Sequence, residues 1–282
     1  MNIAPIAGAL GADVSGIDVT ALSGNEFGAL RDALHRYGVL AIRGQTLTPQ
    51  QQLAFVKCFG DIHYHPHVQG LPEQPEVMEI LKTETDKLNF GAGWHTDQIF
   101  LPEPANYTCL YALELPDAGG DTLYACMRNG FRTLSPAMQE LVCRLHSENR
   151  SVASQMARKN GSAAAAFGGM RAKDAPADEA PAAHPLVRRH PDTGEPALYM
   201  GIHTVGLEGF SEAEAKPLID MLLAHLTRPE NTMRLRWMPG TLAIWDNRSV
   251  LHNAINDYQD KRRRMHRITV VGDTPAGYTA AA

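Results

Sequence analysis

The stretch Trp94-His95-Thr96-Asp97 sets an imidazole and a carboxylate two residues apart. In an extended segment residues i and i+2 face the same side, so His95 and Asp97 could converge on one cation while Thr96 turns away. Two ligands are only part of a set. A distant histidine would complete the two-His, one-carboxylate arrangement that leaves positions open on a non-haem Fe(II). His252, between Trp245-Asp246-Asn247-Arg248 and Asn256-Asp257-Tyr258, is the candidate, and only folding could bring it to Asp97. A lone His-x-Asp also suits a surface turn, so the rest of the chain must decide.

Arginines near the C-terminus add a second kind of chemistry. The run Lys261-Arg262-Arg263-Arg264 could be a solvated basic turn. If Arg264 to Val271 is a strand, however, Arg263, Met265, Arg267 and Thr269 share one side. Two guanidiniums would then face the interior, which is costly without anions to pair them. Two carboxylate or sulfonate groups would resolve that cost. Upstream, Ile62-His63-Tyr64-His65-Pro66-His67 packs three histidines into one loop-like stretch, a composition that also fits a surface loop or adventitious metal binding. Thr122, after the turn Pro116 to Asp121, reads by itself as a β-branched strand residue.

Taken with Gly119-Gly120-Asp121-Thr122 and Trp245-Asp246-Asn247-Arg248, these residues resemble the taurine dioxygenase/2,4-D dioxygenase family of Fe(II)- and 2-oxoglutarate-dependent oxygenases. Order and spacing agree from about Gly11 to Gly272. The resemblance implies Fe(II) held by His95, Asp97 and His252, and 2-oxoglutarate held at its distal carboxylate by Thr122 and Arg263, with O2 as the other co-substrate. It assigns His65 and Arg267 to the anionic head of a small organic substrate, hydroxylated at an aliphatic carbon. Next to a sulfonate, sulfate ester or aryl ether oxygen, such a product fragments. Related halogenating enzymes lack the carboxylate, so Asp97 favours hydroxylation.

The substrate expectation turns on departures from the taurine pattern. Taurine dioxygenases carry a Tyr three positions after the anion-binding His and a polar run before the Trp-His. This chain has Val68 and Phe90-Gly91-Ala92-Gly93 there. An alkyl- or arylsulfonate, sulfate ester or aryloxyalkanoate is expected in place of taurine. Two other readings stay open: a cupin-like metalloenzyme that does not use 2-oxoglutarate, and a non-catalytic anion-binding protein.

Bulk properties narrow the partners. A net charge of −5 and a pI near 6.2 give no basic footprint for nucleic acid or an anionic membrane. No apolar run approaches the 18 residues of a membrane span. The four cysteines, Cys58, Cys109, Cys126 and Cys143, form no Cys-x-x-Cys, and the opening residues show no signal pattern. A reduced, cytoplasmic protein is expected, with a dimer or tetramer implied by the resemblance.

The elements that must hold the site can be read along the chain. Ile3 to Val19 suits short strands, and Ser23 with Glu26 is a capping box ahead of a helix that Gly38 stops. Val39 to Ile42 reads as a buried strand, and Thr48-Pro49-Gln50-Gln51 opens a second helix. Val77 to Leu81 and Tyr107 to Leu113 are expected strands, and Ser135-Pro136 starts a helix with Met138, Leu141, Val142 and Leu145 on its apolar face. Residues 151–183, rich in Ala, Gly, Lys and Asp, show little periodicity and read as a long loop, expected to form a mobile lid, with a plain disordered insertion as the alternative. A hairpin around Pro191 to Gly194, an amphipathic helix capped by Ser211, and strands at Arg234 to Met238, Thr241 to Trp245 and Met265 to Val271 complete the chain. The whole of 1–282 is read as one β-rich mixed α/β domain with a closed or sandwiched β-core and flanking helices. The resemblance makes that core a double-stranded β-helix (jelly roll, cupin-like).

Overall fold

A computed structural model describes residues 1–167 and 169–279. In chain order the elements are β1 (Asn2–Pro5), β2 (Ala12–Ser15), α1 (Gly24–Tyr37), β3 (Val39–Ile42), α2 (Pro49–Lys57), β4 (Ile62–His63), β5 (Met78–Lys82), β6 (Tyr107–Glu114) and β7 (Thr122–Cys126). There follow α3 (Met127–Arg132), α4 (Pro136–Val142), β8 (His146–Asn149), α5 (Val152–Arg158), α6 (Ala163–Ala166), β9 (Ala182–Pro185), β10 (Val187–Arg189), β11 (Pro196–Leu198), β12 (Thr204–Leu207), α7 (Glu212–Leu226), β13 (Thr232–Leu235), β14 (Leu242–Asp246), β15 (Val250–Ala254) and β16 (Arg263–Val270).

Period-two alternation in the strands divides the molecule into layers. An eight-stranded sheet runs β1-β2-β3-β14-β6-β16-β4, with β5 also paired to β16. Its pairs are antiparallel except β2 with β3. On its outer face Leu40, Ile42, Cys109, Ile244 and Val270 pack against Leu30 and Leu34 of α1 and Leu53 and Val56 of α2. On its inner face Val39, Ala41, Leu110, Trp245 and Met265 meet Tyr124, Cys126, Leu235 and Val250. Those partners lie on a second, three-stranded antiparallel sheet, β13-β7-β15. Behind it Ala125 and Leu251 pack on Phe131 of α3 and Leu222 and Leu226 of α7. Two facing sheets, each backed by helices, therefore enclose an inner layer. The site lies there.

Local chemistry sets the element ends. Both arms of the Ser23–Glu26 capping box form, with Ser23 N donating to Glu26 Oε2 at 2.9 Å and Glu26 N to Ser23 Oγ at 3.3 Å. Gly38 ends α1 at φ 72°, where a Cβ would lie 2.7 Å from Val250 Cγ2.

Three expectations need correction. Residues 151–183 are not irregular: they hold α5, α6 and the start of β9, with Ser151 and Ser162 capping the two helices. Their Ala-rich composition hid helices too short to show periodicity; Gly168 of this stretch lies outside the described residues. In α4, Leu141 is 41% exposed and Val142 is the buried residue, because the helix ends after two turns. The strand expected at Arg234 to Met238 lies earlier, at Thr232–Leu235.

Candidate active site

His95 and Asp97 do not sit in a strand. His95 forms a single β-bridge with His252 of β15, the two exchanging both backbone bonds at 2.9 and 2.7 Å, and the chain then turns. Directly opposed residues of an antiparallel pair have close side chains, so the bridge puts the two rings 4.1 Å apart between centroids. At the turn Gln98 adopts φ +59°, a left-handed conformation rare outside glycine. The result brings Asp97 Oδ1 to 3.7 Å from His95 Nε2 and 3.6 Å from His252 Nε2. One donor atom from each residue lies within 4.8 Å of the others, and all three residues are buried.

The protonation states suit a cation. Burial lowers the pKa of both imidazoles, and for His252 the neighbouring His95 adds to the effect, so both rings are neutral. His95 Nδ1 sits 2.8 Å from the Gly93 carbonyl, which accepts only, so the ring proton is on Nδ1 and Nε2 offers a lone pair. Burial works to raise the Asp97 carboxyl, but Arg267, His252, His95 and the Thr108 hydroxyl outweigh it and hold it well below the usual carboxylate range.

Both arginines face inward, as the strand period requires. Arg263 and Arg267 are 4% and 6% exposed. Arg263 Nε and Nη2 are buried without a hydrogen-bond partner, and among the described residues no carboxylate lies within ion-pair reach of it. Arg263 stacks near Trp237, 5.8 Å from the ring centre, and Trp237 Nε1 donates to Thr122 Oγ1 at 3.0 Å, so Thr122 and Arg263 share one corner. Gly119 and Gly120 shape that corner with φ of 83° and 71°. A Cβ on Gly119 would lie 2.7 Å from Asp257 Oδ1, and one on Gly120 3.2 Å from Arg263 Cδ. Arg267 Nη2 lies 2.7 Å from Asp97 Oδ1, yet off the line of a hydrogen bond, and its Nε has no partner.

Beside the triad opens a cavity of about 250 Å³ lined by His65, His95, Asp97, Gln98 and Arg267, among others. Burial and the Arg267 cation push His65 well below the usual histidine range. Its Nδ1 accepts the His67 backbone N–H at 3.1 Å, so Nε2 is the donating nitrogen. Val68, Leu88, Phe90, Met156, Phe167 and Ile202 make the apolar wall, and among the described residues Asp97 is the only acid in the lining. Of the seven site residues expected from the sequence, five lie at this cavity or in the triad beside it, and Thr122 and Arg263 form the separate corner.

Several residues at the site had no such expectation. Burial pushes His203 down to about 3; its ring is 5.9 Å from that of His95. Tyr124, opposite His252 on β7, is fully buried with an unpartnered hydroxyl. Gln98 Nε2 lies 3.0 Å from His63 Nδ1. Thr108 Oγ1 donates to Asp97 Oδ2 at 2.6 Å. None of these four carries a sequence signal of its own; the nearest is the Trp245-Asp246-Asn247-Arg248 run, whose Asn247 Nδ2 donates to Thr108 Oγ1 at 2.9 Å.

Comparison with known proteins points the same way. An alpha-ketoglutarate-dependent sulfate ester dioxygenase of Pseudomonas putida is 32% identical over 279 residues, covering 98% of this chain and 91% of that protein. An alkylsulfatase of Acinetobacter baylyi is 30% identical over 98% of this chain and 87% of its own length. Among solved structures, a putative alpha-ketoglutarate-dependent taurine dioxygenase from Burkholderia xenovorans superposes with a TM-score of 0.82 at 31% identity, over 98% of this chain and 91% of that one. AAD-2 in complex with Mn(II) and N-oxalylglycine gives a TM-score of 0.80 at 25% identity, over 97% and 99%. The profile of the Taurine catabolism dioxygenase TauD, TfdA family matches residues 2–269, and the chain belongs to that family.

Proposed function

We propose that this chain is an Fe(II)- and 2-oxoglutarate-dependent dioxygenase that hydroxylates an aliphatic carbon of a small organic anion with an apolar body. The observation that carries this reading is the convergence of His95, Asp97 and His252 beside two buried guanidiniums without sufficient anionic partners. Two neutral imidazoles, His95 with a free Nε2 lone pair, and an ionised carboxylate are the donor set of a non-haem iron site. The buried, unpaired Arg263 fits a carboxylate ligand, because a lone guanidinium in an apolar setting is costly.

In this reading His95, Asp97 and His252 hold the iron, and Thr122 with Arg263 holds the distal carboxylate of 2-oxoglutarate. His65 and Arg267 take the anionic head of the substrate. Bound iron and 2-oxoglutarate supply the oxidising power: one oxygen atom of O2 enters a substrate C–H bond, the other enters succinate, and CO2 leaves. The protein's part is placement. Arg267 and the His65 N–H fix the head group, and the apolar wall aligns the body and excludes water. Among the described residues an ammonium would find no carboxylate in that lining other than Asp97, which argues for a sulfate ester, sulfonate or aryloxyalkanoate rather than taurine. A hydroxylated carbon next to such an oxygen or sulfur fragments, releasing the anion or the aryl alcohol.

The core formed by the two sheets is read as a double-stranded β-helix, supported by the structural relatives. The whole chain acts as one catalytic domain, with 151–183 as a mobile lid: Val152, Met156 and Phe167 line the cavity, and the segment docks through Gln69 N to Arg171 O at 3.1 Å and Lys173 N to His67 O at 2.7 Å. The test is O2 uptake and succinate release with Fe(II) and 2-oxoglutarate, across alkyl sulfates, sulfonates, aryloxyalkanoates and taurine. Stimulation by an apolar-bodied anion above taurine is expected. Turnover of 2-oxoglutarate equally absent from wild type and His252→Ala would sink the reading.

A further inference from the structure

The carboxylate of Asp97 is held by a hydrogen-bond chain whose every direction is settled by chemistry. An ionised carboxylate only accepts, so the 2.6 Å contact between Thr108 Oγ1 and Asp97 Oδ2 uses the single hydroxyl proton of Thr108. Thr108 Oγ1 can then only accept from Asn247 Nδ2, 2.9 Å away. That fixes the Asn247 amide. Its Oδ1 faces two groups that only donate, Trp245 Nε1–H at 3.0 Å and the Asp97 backbone N–H at 3.3 Å. The Asn247 carbonyl in turn accepts from Thr96 Oγ1 at 2.6 Å, and its backbone N–H donates to Asn106 O at 2.9 Å. Thr108 and Asn247 are both fully buried.

We infer that Thr108 and Asn247 are positioning residues for the metal: they engage Asp97 Oδ2 so that Oδ1 alone is presented to the cation. Oδ1 is the oxygen that faces His95 Nε2, His252 Nε2 and Arg267. Thr108 lies on the inner face of β6, opposite Trp245 of β14 and Thr269 of β16, so two neighbouring strands hold the clamp in place. Asn247 acts on Asp97 in two ways, its Oδ1 accepting from the Asp97 backbone N–H and its Nδ2 donating to the Thr108 hydroxyl that bonds Oδ2, and so fixes both the turn and the carboxylate rotamer. Trp245, which donates to Asn247, also packs its ring 4.8 Å from His252, which couples the clamp to a second ligand of the set. Groups one step behind a metal ligand typically change affinity 10–100-fold when removed.

This inference rests on the proposed metal site, so the experiment reads metal binding directly. Mn(II) is titrated into the full chain and free Mn(II) is followed by electron paramagnetic resonance, with thermal unfolding of the same samples without metal. Thr108→Val keeps shape and strand propensity but removes the proton donor, and should weaken Mn(II) binding roughly 10–100-fold. Thr108→Ser restores the hydroxyl and should bring affinity back. If Thr108→Val does not fold, Thr108→Ala removes the same donor without overfilling the site. Wild-type Mn(II) affinity in a folded Val or Ala variant overturns the clamp while leaving the metal site standing. A wild-type chain that takes up no Mn(II) overturns both.

Discussion

At the scale of single residues, Arg263 sets stability against binding. Its guanidinium is buried with two unpartnered nitrogens, and burial pulls its pKa down. Arg263→Met removes an uncompensated buried charge, so unfolding of the ligand-free protein by urea should show equal or greater stability. The same variant loses the partner of a desolvated carboxylate, a loss of about 2 kcal/mol or more, or roughly 30-fold in affinity. Isothermal titration with 2-oxoglutarate in the presence of Mn(II) checks this. Equal affinity in the variant would remove Arg263 from the co-substrate site. The inward placement of Arg263 and Arg267 was legible from the period of a strand. Gln98 was not, because its left-handed backbone answers to the bridge between His95 and His252 rather than to its neighbours in sequence.

At the scale of elements, two segments carry contrasting loads. The tail of β14 and the turn after it are fastened by a buried ion cluster: Asp246 accepts from Arg248 Nε at 2.8 Å and Arg248 Nη2 at 2.7 Å, and lies 2.9 Å from His190 Nε2. Burial raises the Asp246 carboxyl, but Arg248 and His190 overcome it and hold it far below the usual range. Asp246→Asn leaves Arg248 buried beside a neutral amide and should cost about 3–5 kcal/mol in urea unfolding. Because the folded-state pKa is depressed from 3.8, the stabilisation by Asp246 is complete above that value and is lost as pH falls below it. Stability of wild type should therefore fall below about pH 4, and that of the Asn variant should fall less steeply.

The segment carrying α5 and α6 is held more lightly, by short helices and a bridge of two backbone bonds. Ser151 Oγ accepts from Ser154 N at 3.0 Å, so Ser151→Ala should cost about 1 kcal/mol, felt as faster proteolysis within 151–183. Substrate with 2-oxoglutarate should slow that cleavage in wild type. Cleavage indifferent to both ligands would remove the lid role.

At the scale of the whole molecule, ligand binding and folding are linked. Asp97 is bonded by Thr108 of β6 in the eight-stranded sheet and His252 belongs to β15 of the three-stranded sheet, so a cation held by Asp97 and His252 would join the two layers. At a hundredfold excess over its dissociation constant, Mn(II) should stabilise the fold by about 2.7 kcal/mol, seen as a rise in Tm that a chelator reverses. His252→Ala should abolish the rise. An undiminished rise in that variant would place the metal elsewhere. No helix among the described residues is long and apolar enough to cross a membrane.

The sequence by itself determined the donor types at the site, the strand period that turns Arg263 and Arg267 inward, and the helix starts at Ser23, Thr48, Ser135 and Ser211. Each of these depends on residues within a few positions of one another. Tertiary structure alone decided that His95 lies opposite His252, that Asp97 turns Oδ1 toward the imidazoles, and that Thr108, itself held by Asn247, bonds its other oxygen. It also decided that Val152 and Met156 of α5 and Ala163 of α6 line the cavity. These contacts join strands distant in the chain, and their geometry is set by sheet register and the packing of two layers, for which local propensity carries no signal.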